Sequence, residues 1–146
     1  MPDQTAKPRV LVYRKRHRLT TDAQYRAVYE AKIRKAKGPI AIFIKPNTLP
    51  QHRLGLSVGR RIGNAVARGK IKRLLREAFR HERSGLPVPP QSAGESAYDI
   101  IITVRPHTTL PLAAYRAALA DLVTKAAREH EKRQSKQTPK PPSTPA

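Results

Sequence analysis

The sequence predicts an α+β fold, one small central sheet packed by three helices. Three segments repeat apolar residues at the i, i+3, i+4 spacing of a helix face, and three shorter ones alternate or run apolar as strands do. Their order, helix, strand, strand, helix, strand, helix, is that of a sheet with helices laid on it. With 146 residues, close to the roughly 150 of one domain, a single core is expected.

The first helix is expected from Asp22 to about Lys32. Thr21-Asp22-Ala23-Gln24 has the form of a capping box, and Tyr25, Val28 and Tyr29 follow on one face. Ile40-Ala41-Ile42-Phe43-Ile44 reads as a strand, ended by Pro46, Asn47 and Pro50. Arg53 to Val58 alternates with period two, and the pair is expected to form an antiparallel hairpin with a long connection.

Gly59 to Gly63 then breaks the pattern and Asn64 is a good N-cap. Ile71, Leu74, Leu75, Ala78 and Phe79 form the stripe of a second helix that closes near Gly85. Ser84 to Ser96 is rich in Pro, Gly and Ser and reads as a surface loop. Tyr98 to Val104 is apolar enough to be a buried central strand. Thr109 and Pro111 open a third helix, with Leu112, Tyr115, Leu119, Leu122, Val123 and Ala126 on one face.

Composition narrows function. Thirty Lys and Arg against ten Asp and Glu give a net charge of +20, which points to a polyanionic partner, nucleic acid or an anionic membrane surface. No apolar run approaches the roughly 18 residues of a membrane span and the chain reads as soluble; no membrane partner is expected. The absence of Cys excludes a disulfide framework and a thiolate zinc site, in keeping with a reducing cytosol, and a cytoplasmic protein is expected. Residues 1–12 read as a flexible arm and 13–130 as the domain. The stretch 131–146 reads as a disordered, basic, Pro-rich tail with almost no apolar residue to offset its ordering entropy.

The charge concentrates between Arg53 and Arg83, where ten basic residues meet only Glu77 and Glu82. On the second helix Lys72, Arg73, Arg76 and Arg80 fall opposite the apolar stripe, and Arg68 projects nearer its edge. A charged outer face is ordinary for an amphipathic helix. One sign of charge stacked at i, i+4 is not, because each like pair costs a few tenths of a kcal/mol unless a polyanion neutralises it. Just before it, Gly59-Arg60-Arg61-Ile62-Gly63-Asn64 joins two Arg to a helix N-terminus with its unpaired amides, a combination suited to phosphate. Tyr25 and Tyr29 are either core rings or, with Phe43, a platform on which single-stranded bases stack; Arg26, Lys32, Arg34, Lys35 and Lys37 would supply phosphate contacts around it. The acids are too scattered for a two-metal nuclease site, and Asp99, in the late strand, reads as facing solvent or pairing with an Arg.

The stretch Gly55 to Glu77, GLSVGRRIGNAVARGKIKRLLRE, resembles the protein subunit of bacterial ribonuclease P. The likeness extends to Arg16-His17-Arg18-Leu19, to Tyr25-Arg26-Ala27-Val28-Tyr29 and to Tyr98-Asp99-Ile100-Ile101-Ile102, and covers about Tyr13 to Glu129. Arg68, Lys70, Lys72, Arg73 and Arg76 fit the signature helix, with Gly69 where Asn is usual. The resemblance implies the order α-β-β-β-α-β-α with a left-handed β-α-β crossover, against the right-handed form found in about 98% of such connections. It also implies a ribonucleoprotein endonuclease that removes the 5′ leader of precursor tRNA, its chemistry performed by a catalytic RNA that holds most of the Mg2+. Arg60, Arg61, Asn64, Arg68, Lys70, Lys72, Arg73 and Arg76 would then bind the catalytic RNA. Tyr25, Tyr29, Phe43, Arg18 and Arg26 would line the leader cleft, with no catalytic residue, no metal ligand and no obligate protein partner. A ribosomal or RNA-chaperone protein is the alternative from the class of structural RNA binders.

Overall fold

The computed structural model describes residues 15–90 and 94–137. The expected N-terminal arm, the middle of the Ser84 to Ser96 loop and residues 138–146 lie outside the described residues. The chain forms α1 (Asp22–Glu30), β1 (Ile33–Lys37), β2 (Ile40–Asn47), β3 (Arg53–Ser57), α2 (Ala65–Glu82), β4 (Ala97–Val104) and α3 (Leu112–Gln137), with short 3-10 helices at Lys15–His17, Arg60–Ile62 and Arg83–Gly85. This is the seven-element order that the resemblance implies.

The four strands lie in the order β1-β2-β4-β3. β2 pairs antiparallel with β1 and with β4, and β3 pairs parallel with β4, so α2 is the crossover between two neighbouring parallel strands. The expected antiparallel hairpin of β2 and β3 is therefore wrong. β4 stands between them because Ala97 to Ile102 is buried at every position and needs a strand on each side. His52 belongs to the connection that carries the chain past the start of β4: it is buried, and its Nδ1 accepts from the Tyr98 N–H at 3.0 Å.

The hairpin that does form joins β1 to β2 through Gly38, whose φ of 59° suits a two-residue turn. The residue pattern does not reveal β1. Its sequence, Ile33-Arg34-Lys35-Ala36-Lys37, lacks strand formers after Ile33, and charged residues of this kind are what protects an edge strand from further pairing. The opposite edge is partly covered by the N-terminal segment, where Arg18 bridges to Leu54 and the Leu19 N–H donates to the Leu54 carbonyl at 2.9 Å.

Period two along the strands divides the core. Ile42, Ile44, Leu54, Ile100 and Ile102 face α2 and α3 in the main cluster, which includes Ile71, Leu75, Phe79, Tyr115, Leu119, Leu122 and Val123. Ile101 faces the other way into a small cluster with Leu19 and Val28, flanked by Tyr25, Tyr29 and Phe43. α1 thus covers only part of its side of the sheet. A further correction concerns the tail: α3 continues through Glu131 to Gln137, where composition predicts disorder. Tertiary contacts offset the poor composition there, because Arg133 bonds Glu129 one turn earlier and the carbonyls of Ala31 and Lys32 at the end of α1.

Candidate nucleic-acid interface

α2 begins where the sequence places it. The Asn64 side-chain oxygen accepts from the Ala67 N–H at 2.9 Å, and Gly63, with φ of 146°, turns the chain out of the preceding 3-10 helix. Gly59 has an ordinary extended backbone, so of the two glycines Gly63 is the one whose conformation requires the residue. Arg60 and Arg61 stand exposed beside this helix start.

Burial of Ile71, Leu75, Ala78 and Phe79 fixes the roll of α2 and so the direction of its cations. Lys70 and Arg73 are exposed. Lys72 and Arg76 instead line a groove of about 310 Å³ together with Arg18, Leu19, Thr20, Tyr25, Leu54 and Leu56. Arg68 is half-buried and its Nε is among the buried polar atoms without a hydrogen-bond partner in the structure. Arg80 is held by Glu77, with its Nη2 at 2.8 Å and its Nε at 3.1 Å from the two carboxylate oxygens, a pairing that holds the Glu77 carboxyl below its usual range. Among the described residues the salt bridges of α2 involve Glu77, Arg80, His81 and Glu82, which leaves the cations from Arg68 to Arg76 outside them.

The aromatic residues meet across the sheet. Arg34, Phe43, Ile101 and Gly55 are successive partners across β1, β2, β4 and β3 on the face under α1. Tyr25 lies over Gly55 and accepts from the Leu56 N–H at 3.1 Å; a Cβ at Gly55 would come within 2.8 Å of the tyrosine ring. Tyr29 meets Phe43 edge to face at 4.7 Å between centroids, and the Arg34 guanidinium stands 5.9 Å from the Phe43 centroid. The three rings are half-buried, so they pack on the small cluster and still present an edge to solvent. Arg18 and Arg26 are exposed, one on the approach to α1 and the other within it.

Strand alternation separates the basic run that the sequence treats as one group. Lys35 reaches Glu129 at 3.5 Å and Lys37 reaches Asp121 at 3.6 Å, both on α3, whereas Arg34 points to the aromatic side. A second groove of about 520 Å³, lined by Arg16, Arg18, Thr20, Gln24, Leu49, Gln51 and Arg53, shares Arg18 and Thr20 with the first. Sequence reasoning misses Arg16, Gln51 and Arg53 as lining residues, since only the strand order brings the N-terminal segment beside β3. Asp99 is buried and takes two bonds of 2.8 Å from Arg53 and one of 2.7 Å from Asn47, so of its two expected settings the pairing with an Arg is the one that occurs. Among the described residues no three His, Asp or Glu side chains gather as a metal site would require.

The family model for Ribonuclease P matches residues 13–127. The chain belongs to the ribonuclease P protein family. Curated ribonuclease P protein components resemble it: that of Syntrophobacter fumaroxidans is 34% identical over 94 residues, 64% of this chain and 73% of its own length. The component from Methylococcus capsulatus is 39% identical over 71 residues, 48% of this chain and 56% of its own. The structure of the Staphylococcus aureus RNase P protein superposes with a TM-score of 0.62 at 28% identity, covering 75% of this chain and 94% of that one. The Thermotoga maritima protein, at 22% identity and a TM-score of 0.60, shares the fold over 76% of this chain and 96% of its own. The known role of ribonuclease P is processing of the tRNA 5′ leader, and a ribonuclease P protein component implies a partner RNA subunit. Among the described residues no helix is long and apolar enough to cross a membrane.

Proposed function

We propose that this ribonuclease P protein holds two RNA ligands at once: the catalytic RNA along α2 and its glycine turn, and the single-stranded 5′ leader of precursor tRNA in the cleft beside α1. The observation that carries the reading is the groove in which Lys72 and Arg76 of α2 face Arg18 and the half-buried Tyr25. Arg60, Arg61, Lys70 and Arg73 form the outward, phosphate-binding part, reinforced by the α2 N-terminus behind Asn64. Arg68, Lys72 and Arg76 stand where that surface meets the cleft. Tyr25, Tyr29 and Phe43 offer ring edges and faces to leader bases, with Arg18, Arg26 and Arg34 near enough to serve its phosphates.

In this reading the protein supplies affinity and alignment, and the catalytic RNA hydrolyses the phosphodiester. Interactions with the leader exist before cleavage and end when the leader departs, so they favour precursor over mature tRNA, at about 1–3 kcal/mol for each stacked base. Magnesium supplies charge stabilisation and an activated water when bound. The described side chains do not fit it as a resident ion: no three His, Asp or Glu gather among them, and Asp99, Glu77, Glu82, Asp121 and Glu129 are engaged with cations of the chain itself. We assign it mainly to the RNA, and place the complex in the cytoplasm without an obligate second protein.

Reconstitution with the cognate catalytic RNA at low magnesium tests the reading. The protein should raise leader cleavage and tighten precursor binding more than mature tRNA binding, and Tyr25→Ala should reduce that difference. Equal affinities with and without the protein would overturn it, and an equal loss for both ligands in Tyr25→Ala would return the ring to a purely structural role.

A further inference from the structure

We propose that Arg133, on the last turns of α3, is a positioning residue for the aromatic cleft. The inference rests on the reading that the leader lies in that cleft. Arg133 donates from Nη1 to the Ala31 carbonyl at 3.1 Å and from Nη2 to the Lys32 carbonyl at 2.7 Å, while its Nε bonds Glu129 at 3.0 Å. Ala31 is the C-cap of α1, and Lys32 follows it in the left-handed conformation at φ of 57°. A lysine there has none of the tolerance of glycine for that conformation, so the turn depends on what holds it.

The fork of Arg133 spans the carbonyl of the α1 C-cap and that of the residue after it, neither of which has a partner within the helix, and the planar guanidinium fixes their relative orientation. The Lys32 N–H donates to the Tyr29 carbonyl at 3.1 Å, and Tyr29 in turn meets Phe43 edge to face. Movement at the α1 end is thus movement of Tyr29 against the sheet. Glu129, which also receives Lys35 of β1, orients the guanidinium, so the clamp ties α1, β1 and α3 at one corner. The arginine acts on the cleft through the helix it holds.

The test uses the reconstituted holoenzyme and measures how many times more tightly precursor binds than mature tRNA for the wild type, Tyr29→Ala, Arg133→Ala and Arg133→Lys. Arg133→Ala should lower this preference roughly three- to tenfold, a fraction of what removing two charge-assisted bonds can cost, with catalytic-RNA affinity unchanged. Hydrogen exchange at the Ala31 and Lys32 amides should quicken while that of α2 stays as it was. Arg133→Lys keeps the charge but not the fork and should stay defective. Full recovery in Arg133→Lys would mean that charge alone matters and would overturn the proposal, as would an equal loss for both tRNAs. If Tyr29→Ala lowers the preference and Arg133→Ala does not, the positioning role fails and the leader reading stands; if Tyr29→Ala leaves it unchanged, the leader reading itself fails. Should Arg133→Ala not fold, Glu129→Gln is expected to give the same change in smaller degree, and no change there would count against the clamp.

Discussion

Tyr25 shows how one residue serves both structure and recognition. Its hydroxyl accepts from a backbone N–H of β3 and its ring rests on Gly55, yet the ring keeps an exposed side in the groove with Lys72 and Arg76. Gly55→Ala should force that ring off its seat, destabilising the fold by about 1–3 kcal/mol as overpacking does. Thermal unfolding gives the cost, and precursor affinity should fall beyond what that cost explains; an unchanged affinity in a destabilised variant would separate the ring's seat from binding. His52 is a purely structural counterpart. Burial, the largest cause, holds its imidazole below the usual value of 6.5, and protonation of Nδ1 would remove the acceptor for the Tyr98 N–H. The folded state therefore binds the proton less readily than the unfolded chain. This contribution to stability is full above about pH 6.5 and declines as pH falls below it. Denaturant titrations at pH 7 and pH 5 should show that loss in the wild type and a smaller one in His52→Gln; an identical loss in both would contradict it.

At the scale of elements, α2 is the most legible part of the sequence. Its cap, stripe and end are all local signals, and the structure places them as read. Gly69 interrupts its interior turns. Beyond its own turn of helix backbone and its chain neighbours, nothing lies within 4 Å of a Cβ built there, so the glycine is not required by packing. Gly69→Ala should stabilise the protein by roughly 0.5–1 kcal/mol through helix propensity alone, measurable by chemical denaturation. A loss of stability would show a backbone demand that the helix geometry hides. β1 and the end of α3 are illegible for opposite reasons. β1 carries the charges of an edge strand, which mimic a loop, and residues 131–137 carry the composition of a tail, which Arg133 converts to helix by bonding a distant turn. Neither signal lies within the segment itself.

For the molecule as a whole, the net charge of +20 is distributed unevenly. Lys35, Lys37, Arg53, Arg80 and Arg116 pair with carboxylates of the chain, whereas among the described residues no salt bridge takes Arg60, Arg61, Arg68, Lys70, Lys72, Arg73 or Arg76, so the glycine turn and α2 present their charge to a partner. Replacing Arg68, Lys72 and Arg76 together should weaken catalytic-RNA binding and lower its salt slope, by up to roughly 0.7–0.9 for each phosphate no longer neutralised. Affinity measured from low to moderate salt checks this, and a parallel line displaced to weaker binding would mean that these side chains touch no phosphate.

By itself the sequence determined what local physics can determine. It marked the caps and stripes of the helices, β4 as a strand buried on both faces, the cationic face of α2, and Tyr25, Tyr29 and Phe43 as the rings worth following. Those features depend on residues a few positions apart, where spacing alone sets which side chains share a face. Only the tertiary structure decided that β4 stands between β2 and β3, that Lys35 and Lys37 pair with α3 while Arg34 does not, and that Lys72 and Arg76 share a groove with Tyr25. Each of those outcomes is a choice among partners far apart in the chain, fixed by which arrangement buries the apolar strand and gives the buried Asp99 its Arg53 partner.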